Sequence, residues 1–217
     1  MKRSHWQRWH DEYDDPTSPL SARLAEVQRQ LRAVLDGAPE GPLQLISICA
    51  GRGRDVLDVV TDHPRGRDVR ARLVELDPEL AHDAWLLASD RGLDDVEVVV
   101  ADAARTSTYE DVVPANIVMI CGVFGNISLD DIHHTIATLP SLCANDARVI
   151  WTRHRRSPNR TLAIRDMFRE SGFREVTFVA PDEYIFTVTT EQLQRSPDPF
   201  SPDDTMFTFS GNGAQPA

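Results

Sequence analysis

Apolar residues form short continuous runs along the middle of the chain, and segments with helical periodicity lie between these runs. A continuous apolar run indicates a strand that is covered on both faces, as in a parallel sheet. Alternation of such strands with helices is typical of a doubly wound α/β domain. We expect strands at 43–49, 69–76, 96–101, 115–121 and 146–152, and helices at 19–36, 53–62, 78–91, 104–111 and 129–140.

The end of the chain follows a different pattern. Two further apolar runs, at 173–180 and 184–190, are separated only by a short Pro-Asp turn. A parallel return needs a dozen or more residues, so these strands must pair antiparallel. We therefore predict a doubly wound, mostly parallel seven-stranded sheet that ends in an antiparallel hairpin. The chain after 193 is rich in Pro, Ser and Asp, which predicts irregular structure.

Helix starts are marked by a capping side chain followed by proline, at Ser18-Pro19, Asp77-Pro78 and Ser157-Pro158. The first helix should pack on the sheet or over a ligand cleft, because one of its faces is an apolar stripe of helical period. That stripe consists of Leu20, Leu24, Val27, Leu31 and Leu35.

The glycine-rich turn after the first predicted strand is the main candidate for ligand binding. The next strand ends at Glu75, 24 positions after Gly51. A turn of this kind lets the backbone approach a nucleoside, and a carboxylate at the neighbouring strand tip accepts hydrogen bonds from ribose hydroxyls. A dinucleotide fits poorly because Val56 stands where its third glycine is required, and no Gly-Lys-Ser/Thr follows as a P-loop would need.

These motifs resemble those of the class I S-adenosylmethionine-dependent methyltransferases, over about 43–193. Cys49, Gly51 and Gly53 align with the three glycines of the Gly-x-Gly-x-Gly turn of that family. Ser47 replaces the acid that usually ends the first strand. The resemblance implies S-adenosylmethionine as cofactor and the Rossmann-like fold of the predicted sheet.

The resemblance also assigns two acids to the cofactor. Glu75 is expected to bind the ribose, and Asp77, which directly precedes a proline, is expected to cap a helix. Asp102 is expected beside the adenine, although a carboxylate at that position would serve equally as a helix cap. Ligands of open α/β sheets bind beyond the carboxyl ends of the strands. The expected cofactor-binding residues are Cys49, Ala50, Gly51, Gly53, Glu75, Leu76, Asp102, Ala103, Cys121 and Gly122.

Catalytic and substrate residues are less sharply indicated. Phe124 and Asn126, after the fourth strand, are candidate substrate contacts. His154, after the fifth strand, is a candidate general base, but it lies in the basic run Arg-His-Arg-Arg, for which a solvated surface is the alternative interpretation. His133 and His134 are expected to be outward-facing or packing residues.

An aromatic face is predicted near the N-terminus, where Trp6, Trp9 and Tyr13 are spaced by three and four residues. In the resembled family this segment often covers the active site, where aromatic rings attract a sulfonium cation. Tyr13 is then a candidate catalytic residue and His10 a candidate substrate contact; packing of the same face against the sheet is the alternative. These features divide the chain into an N-terminal helical lid at 1–40, a nucleoside-binding domain at 41–193 and an irregular tail at 194–217.

Composition narrows the partners of this 217-residue chain. A formal net charge of −11 argues against a nucleic-acid partner, which requires a basic face. The sequence CGVFGN lacks the two prolines of the motif typical of enzymes that methylate base amino groups. No apolar run reaches the ~20 residues that span a bilayer, and the N-terminus has no apolar core of a signal peptide, so a cytoplasmic protein without a membrane partner is expected. Three scattered cysteines predict neither a metal site nor a disulfide framework.

Three functional hypotheses follow. The first is S-adenosylmethionine-dependent methyl transfer to an O, N or C atom of a small-molecule acceptor. The second is a protein that binds the nucleoside without transferring a group. The third is a non-methylating enzyme that uses the same sulfonium cofactor. The sequence leaves the acceptor and the oligomeric state open.

Overall fold

The computed structural model describes Tyr13 and residues 15–209. Within this part the chain forms a seven-stranded sheet with α-helices on both faces. The strands are β1 (Leu43–Ile48), β2 (Val69–Glu75), β3 (Val96–Val100), β4 (Ala115–Ile120), β5 (Cys143–His154), β6 (Phe173–Val179) and β7 (Phe186–Leu193). The helices are α1 (Pro19–Asp36), α2 (Arg54–Asp62), α3 (Pro78–Asp90), α4 (Leu129–Leu142) and α5 (Thr161–Glu170).

The strand order is β3-β2-β1-β4-β5-β7-β6, with β1 to β5 parallel and β7 antiparallel to both of its neighbours. This confirms the predicted mostly parallel sheet and its terminal hairpin. After β1 the chain builds outward through β2 and β3, and β4 then returns to the other side of β1. The strand order therefore reverses between β1 and β4, which is where open α/β sheets bind their ligands.

The core consists of two apolar layers, one on each face of the sheet. On one face, Trp151 stacks on Phe168 with ring centroids 5.5 Å apart. On the other face, α1 lies against α2 and β7, and Val27, Leu31 and Leu35 of its predicted stripe are buried. This arrangement places the N-terminal end of α1 beside the turn that follows β1.

One predicted α-helix and one predicted helix start are wrong. The segment expected to be helical at 104–111 forms only a short 3₁₀ turn at Thr106–Tyr109. The Tyr109 hydroxyl donates to the Ala103 carbonyl at 2.7 Å and the ring is fully buried, which fixes a turn too tight for an α-helix. The last α-helix begins at Thr161 rather than at the Ser157-Pro158 pair, because the Asn159 side chain accepts the hydrogen bond from the Thr161 amide, at 3.0 Å.

The C-terminal segment through 209 contains no regular helix or named strand, yet it is packed against the domain. Met206 and Phe207 are buried, and the Met206 amide donates to the Ala104 carbonyl at 2.8 Å. Two isolated bridges, Arg105 with Thr205 and Ile127 with Phe209, join this segment to the loops after β3 and β4. We call residues 204–209 the C-terminal strap.

Candidate active site

The turn after β1 has an unusual backbone. Cys49, Gly51 and Gly53 all have φ between 57° and 67°, in the left-handed region. Cys49 carries a side chain there, a conformation that costs roughly 1–2 kcal/mol for residues other than glycine. The turn is tied to β2 by the Ala50 amide, which donates to the Val74 carbonyl at 2.8 Å. The backbone at 49–53 is therefore held in one place at the switch point of the sheet.

Gly53 is required by packing as well as by conformation. A Cβ atom at this position would lie 2.5 Å from Leu73 Cδ2 and 3.1 Å from Leu57 Cδ1. Because the Leu73 and Leu57 side chains belong to β2 and α2, the missing side chain lets the helix approach the sheet closely. This is the packing role that the third glycine has in related nucleotide-binding turns.

On one side of the turn lie Cys49, Glu75 and Asp102, which we call the strand-tip group. The Glu75 carboxylate accepts hydrogen bonds from the amides of Gly51 at 2.8 Å and Asp77 at 2.9 Å. Burial raises the pKa of Glu75 even though these amides oppose the shift. Burial also raises the pKa of the Cys49 thiol well above its usual value, and the nearby charges of Glu75 and Asp102 raise it further.

Asp77 and Asp102, the two aspartates near Glu75, each accept a backbone amide, but in different local structures. Asp77 accepts the Glu79 amide at 2.9 Å and caps α3, as predicted. Asp102 Oδ1 accepts the Ala104 amide at 3.0 Å, a cap-like bond in the turn that precedes the 3₁₀ segment. Leu76 is 62% exposed at the edge of the same group, whereas Ala103 is buried.

On the other side of the turn, a pocket opens between α1 and the glycine turn; we call it the helix pocket. Its lining residues are Tyr13, Arg23, Leu24, Val27, Ala50, Arg52, Gly53, Arg54, Asp55 and Cys121. Arg23 is only 8% exposed, and its guanidinium donates to the Tyr13 hydroxyl at 2.5 Å. The pocket is therefore a partly enclosed space lined both by charged groups and by apolar side chains of α1, namely Leu24 and Val27.

Burial perturbs the titrating groups of the helix pocket. It raises the pKa of Asp55 to about 6, against the opposing influence of a hydrogen bond from the Val56 amide and the charge of Arg23. It raises the pKa of the Cys121 thiol well above its usual value, with a further contribution from Asp55. The pKa of Tyr13 is raised by burial despite the hydrogen bond from Arg23. Perturbed groups of this kind cluster at functional sites more often than elsewhere.

Arg23 and Asp55 were not among the site residues predicted from the sequence. Arg23 lies three residues after Leu20 and four before Val27, so it interrupts the apolar stripe of α1, and this was a usable signal. Asp55 stands in the first turn of α2, where an acid is favoured by the helix dipole, and its local sequence gives no further sign of a pocket.

Three of the predicted catalytic and substrate residues are not among those that line the helix pocket. Phe124 is fully buried, with its ring centroid 5.9 Å from that of Trp151. The Asn126 side-chain amide donates to the Gly122 carbonyl at 2.7 Å, and its Oδ1 is buried without a hydrogen-bond partner among the described residues. His154 ends β5 opposite Phe186 of β7.

The environment of His154 makes it a weak base. Burial and then the charges of Arg153 and Arg156 lower its pKa to about 4. Its Nδ1 accepts the Arg156 amide at 3.2 Å. The predicted aromatic face can be followed only at Tyr13, because Trp6, Trp9 and His10 lie outside the described residues.

The fold of this chain is similar to that of solved structures, although its sequence matches no known family. No family model matches the sequence, and no curated protein matches it. Magnesium protoporphyrin IX methyltransferase from Synechocystis PCC 6803, solved with bound S-adenosylmethionine, is 12% identical with a TM-score of 0.68, over 87% of this chain and 91% of that one. The 1,6-didemethyltoxoflavin-N1-methyltransferase from Burkholderia thailandensis, solved with S-adenosylhomocysteine and 1,6-didemethyltoxoflavin, is 17% identical with a TM-score of 0.62, over 88% and 87%.

A third solved structure agrees. An O-methyltransferase family protein from Burkholderia thailandensis is 14% identical with a TM-score of 0.61, over 89% of this chain and 70% of that one. The chain therefore has the fold of the class I S-adenosylmethionine-dependent methyltransferases, as the sequence resemblance implied. Within the described residues, no helix is both long and apolar enough to cross a membrane, and no group of three or more His, Cys, Asp or Glu side chains is arranged to hold a metal ion.

Proposed function

We propose that this protein transfers a methyl group from S-adenosylmethionine to a small-molecule acceptor. The observation that carries the proposal is the position of the glycine turn, which has the strand-tip group on one side and the helix pocket on the other. The three solved structures described above carry methyltransferase or methyltransferase-family names, and two of them contain S-adenosylmethionine or its thioether product.

The strand-tip group fits the nucleoside part of this cofactor. Each oxygen of the Glu75 carboxylate accepts one backbone amide and retains capacity for another hydrogen bond, which a ribose hydroxyl would supply. The exposed Leu76 side chain offers an apolar surface for the base, and the loop containing Asp102 and Ala103 borders the same space. Cys49, Ala50, Gly51 and Gly53 would contribute mainly backbone.

Methyl transfer from a sulfonium depends more on positioning of the acceptor than on proton transfer. When bound, the sulfonium cofactor supplies an activated methyl group and leaves as a neutral thioether. The protein's share is to hold the acceptor in line and to exclude water, effects that supply ~7–11 kcal/mol in favourable cases. Cys121, which follows β4, and Tyr13 both line the helix pocket and are our candidates for defining the space around the acceptor, together with the adjacent Gly122.

Among the predicted catalytic residues, Tyr13 is favoured over His154. A phenol is protonated at neutral pH, and burial raises the pKa of Tyr13 further, so Tyr13 would orient an acceptor by hydrogen bonding rather than remove its proton. His154 is outside the pocket lining and its pKa of about 4 makes it a poor proton acceptor at pH 7. The turnover of His154→Ala and Tyr13→Phe, measured side by side, tests this preference: an unchanged rate for Tyr13→Phe with a loss for His154→Ala would reverse it.

The acceptor is proposed to be a small molecule rather than a nucleic acid. The net charge of −11 disfavours approach of a polyanion, and the helix pocket is closed on one side by α1. We propose an oxygen, nitrogen or carbon atom as the methyl acceptor.

Calorimetry with S-adenosylmethionine and S-adenosylhomocysteine tests cofactor use directly. We expect both to bind, and Glu75→Gln to weaken both by about 10- to 100-fold, since a charge-assisted hydrogen bond to the ribose is lost. Asp90→Asn is the matched control, because it removes an exposed carboxylate at the far end of α3. Folded wild-type protein that binds neither compound would contradict the proposal. Formation of S-adenosylhomocysteine from S-adenosylmethionine in the presence of candidate acceptors then distinguishes transfer from binding alone.

A further inference from the structure

The helix pocket has a charge pattern that the proposed function does not by itself explain. Among its described lining residues, Asp55 is the only acid. Three arginines also line it: Arg52 pairs with Asp83 at 3.1 Å, Arg54 lies 4.0 Å from Asp58, and the third is Arg23. Arg23 is the most buried of the three and points at the Tyr13 hydroxyl. A carboxylate and a guanidinium thus face one small space next to the glycine turn.

We propose that Asp55 and Arg23 bind the amino-acid end of the cofactor, with Asp55 accepting hydrogen bonds from its ammonium group and Arg23 donating to its carboxylate. This inference rests on the proposed function. It assigns the ammonium contact to the first turn of α2 rather than to β1, whose last polar side chain, Ser47, is uncharged and 1% exposed.

The position of the two residues follows from the geometry of the turn. Glu75 contacts the Gly51 amide on one side, and Asp55 stands two residues beyond Gly53, on the side of the helix pocket. We infer that a nucleoside whose sugar is held by Glu75 extends its 5′ substituent across the turn, toward the helix pocket. In S-adenosylmethionine that substituent ends in a zwitterionic amino acid, and one acid with one arginine is the complementary pair of charges.

Burial of these two side chains should strengthen their hydrogen bonds to the cofactor. Charge-assisted hydrogen bonds are shorter and stronger than neutral ones, and they gain strength where water is excluded. The Asp55 carboxylate is half-buried and receives a hydrogen bond from the Val56 amide at 3.0 Å, which fixes its orientation. The buried guanidinium of Arg23 lies 5.9 Å from the centroid of the Tyr13 ring, so the phenol restricts where it can move.

Three ligands separate the parts of this interaction. S-Adenosylhomocysteine has both charged groups, decarboxylated S-adenosylmethionine has the ammonium group without the carboxylate, and 5′-methylthioadenosine has neither. We expect Asp55→Asn to weaken S-adenosylhomocysteine by about 10- to 100-fold in calorimetry, the range for one charge-assisted hydrogen bond. Its affinity for 5′-methylthioadenosine should stay within about twofold of wild type.

Arg23→Gln provides the complementary measurement. It should weaken S-adenosylhomocysteine but leave decarboxylated S-adenosylmethionine nearly unchanged, whereas Asp55→Asn should weaken both. Glu75→Gln should weaken all three ligands, including 5′-methylthioadenosine, and Asp90→Asn should affect none. Circular dichroism and thermal melting establish that each variant is folded.

A pH series gives a second readout that does not depend on a variant. Asp55 is faced by Arg23 from α1, by Asp58 on its own helix, and by Tyr13 and Cys121. With its pKa at about 6, protonation below that pH removes the anion that binds the ammonium group. S-Adenosylhomocysteine affinity should therefore fall below about pH 6 more steeply than 5′-methylthioadenosine affinity.

The outcomes are distinguishable. If wild type binds no adenosyl ligand, the proposed function fails and this inference fails with it. If wild type binds 5′-methylthioadenosine and S-adenosylhomocysteine, but Asp55→Asn changes neither or weakens both equally, only the assignment of Asp55 is overturned. A loss of turnover without any change in affinity would instead identify Asp55 as a proton acceptor for the substrate.

Discussion

The two sides of the glycine turn are built in different ways. The strand-tip group is made by the register of parallel strands, in which β1 and β2 end together and carry Cys49 and Glu75 to the same edge of the sheet. In the helix pocket, the acid and the most buried arginine come from two helices, with Arg23 on α1 and Asp55 on α2. The first kind of site depends on backbone hydrogen bonds, and the second depends on how two helices pack.

This difference has an energetic consequence. The Glu75 carboxylate is supported by backbone amides of the turn and of α3, so the protein uses it structurally even without a ligand. Asp55 has less support, and burial raises its pKa to about 6. The helix pocket therefore contains a group that destabilises the folded protein, which is common where function has been favoured over stability.

The largest expected effect comes from Gly53, which both sides share. Gly53→Ala should destabilise the protein by about 2–4 kcal/mol, because a left-handed alanine is strained and its Cβ would meet Leu73 Cδ2 at 2.5 Å. Gly92→Ala is the matched control: Gly92 has φ +64°, and nothing lies within 4 Å of an added Cβ. Urea unfolding measures the free energy of unfolding of both variants. Equal decreases would show that contact of the added Cβ with Leu73 and Leu57 does not contribute to the destabilisation.

The second effect concerns Asp55 and the pH dependence of stability. Its pKa is raised from 3.8 to about 6, so its contribution to stability is complete below pH 3.8 and is lost as the pH rises through 6. Asp55→Asn should therefore be more stable than wild type at pH 8 by up to about 3 kcal/mol, and this gain should shrink as the pH falls toward 4. Asp90→Asn, an exposed control, should show no such trend. A variant less stable than wild type at pH 8 would contradict this account.

The smallest effect uses the two cysteines as local reporters. Burial is the main reason that the pKa values of Cys49 and Cys121 are raised, but Glu75 and Asp102 add to the shift of Cys49, and Asp55 adds to that of Cys121. Glu75→Gln should therefore accelerate alkylation of Cys49, and Asp55→Asn that of Cys121, each by about two- to threefold. Iodoacetamide labelling followed by peptide mass spectrometry measures both rates. Acceleration of both thiols by either variant would mean that the two sides of the turn are one electrostatic unit.

The same contrast explains what could be predicted from the sequence. The mostly parallel sheet, its terminal hairpin and the residues of the strand-tip group are indicated by local patterns, namely apolar runs, a glycine turn and an acid at a strand end. Arg23 and Asp55 are 32 positions apart, and their approach depends on where α1 lies, which no local pattern specifies. The helix expected at 104–111 failed for a related reason, since Thr106 is engaged by Asp204, 98 residues away, through a hydrogen bond of its amide to the Asp204 carbonyl at 3.0 Å.

The C-terminal strap has a consequence for synthesis of the protein. All seven strands have left the ribosome before residues 204–209 emerge, so the sheet can assemble while the sites of Met206 and Phe207 are still empty. Until the strap docks, the loops after β3 and β4 lack the bridges that join them to Thr205 and Phe209. Until the strap docks, the apolar surface that Met206 and Phe207 cover is exposed at this edge of the sheet.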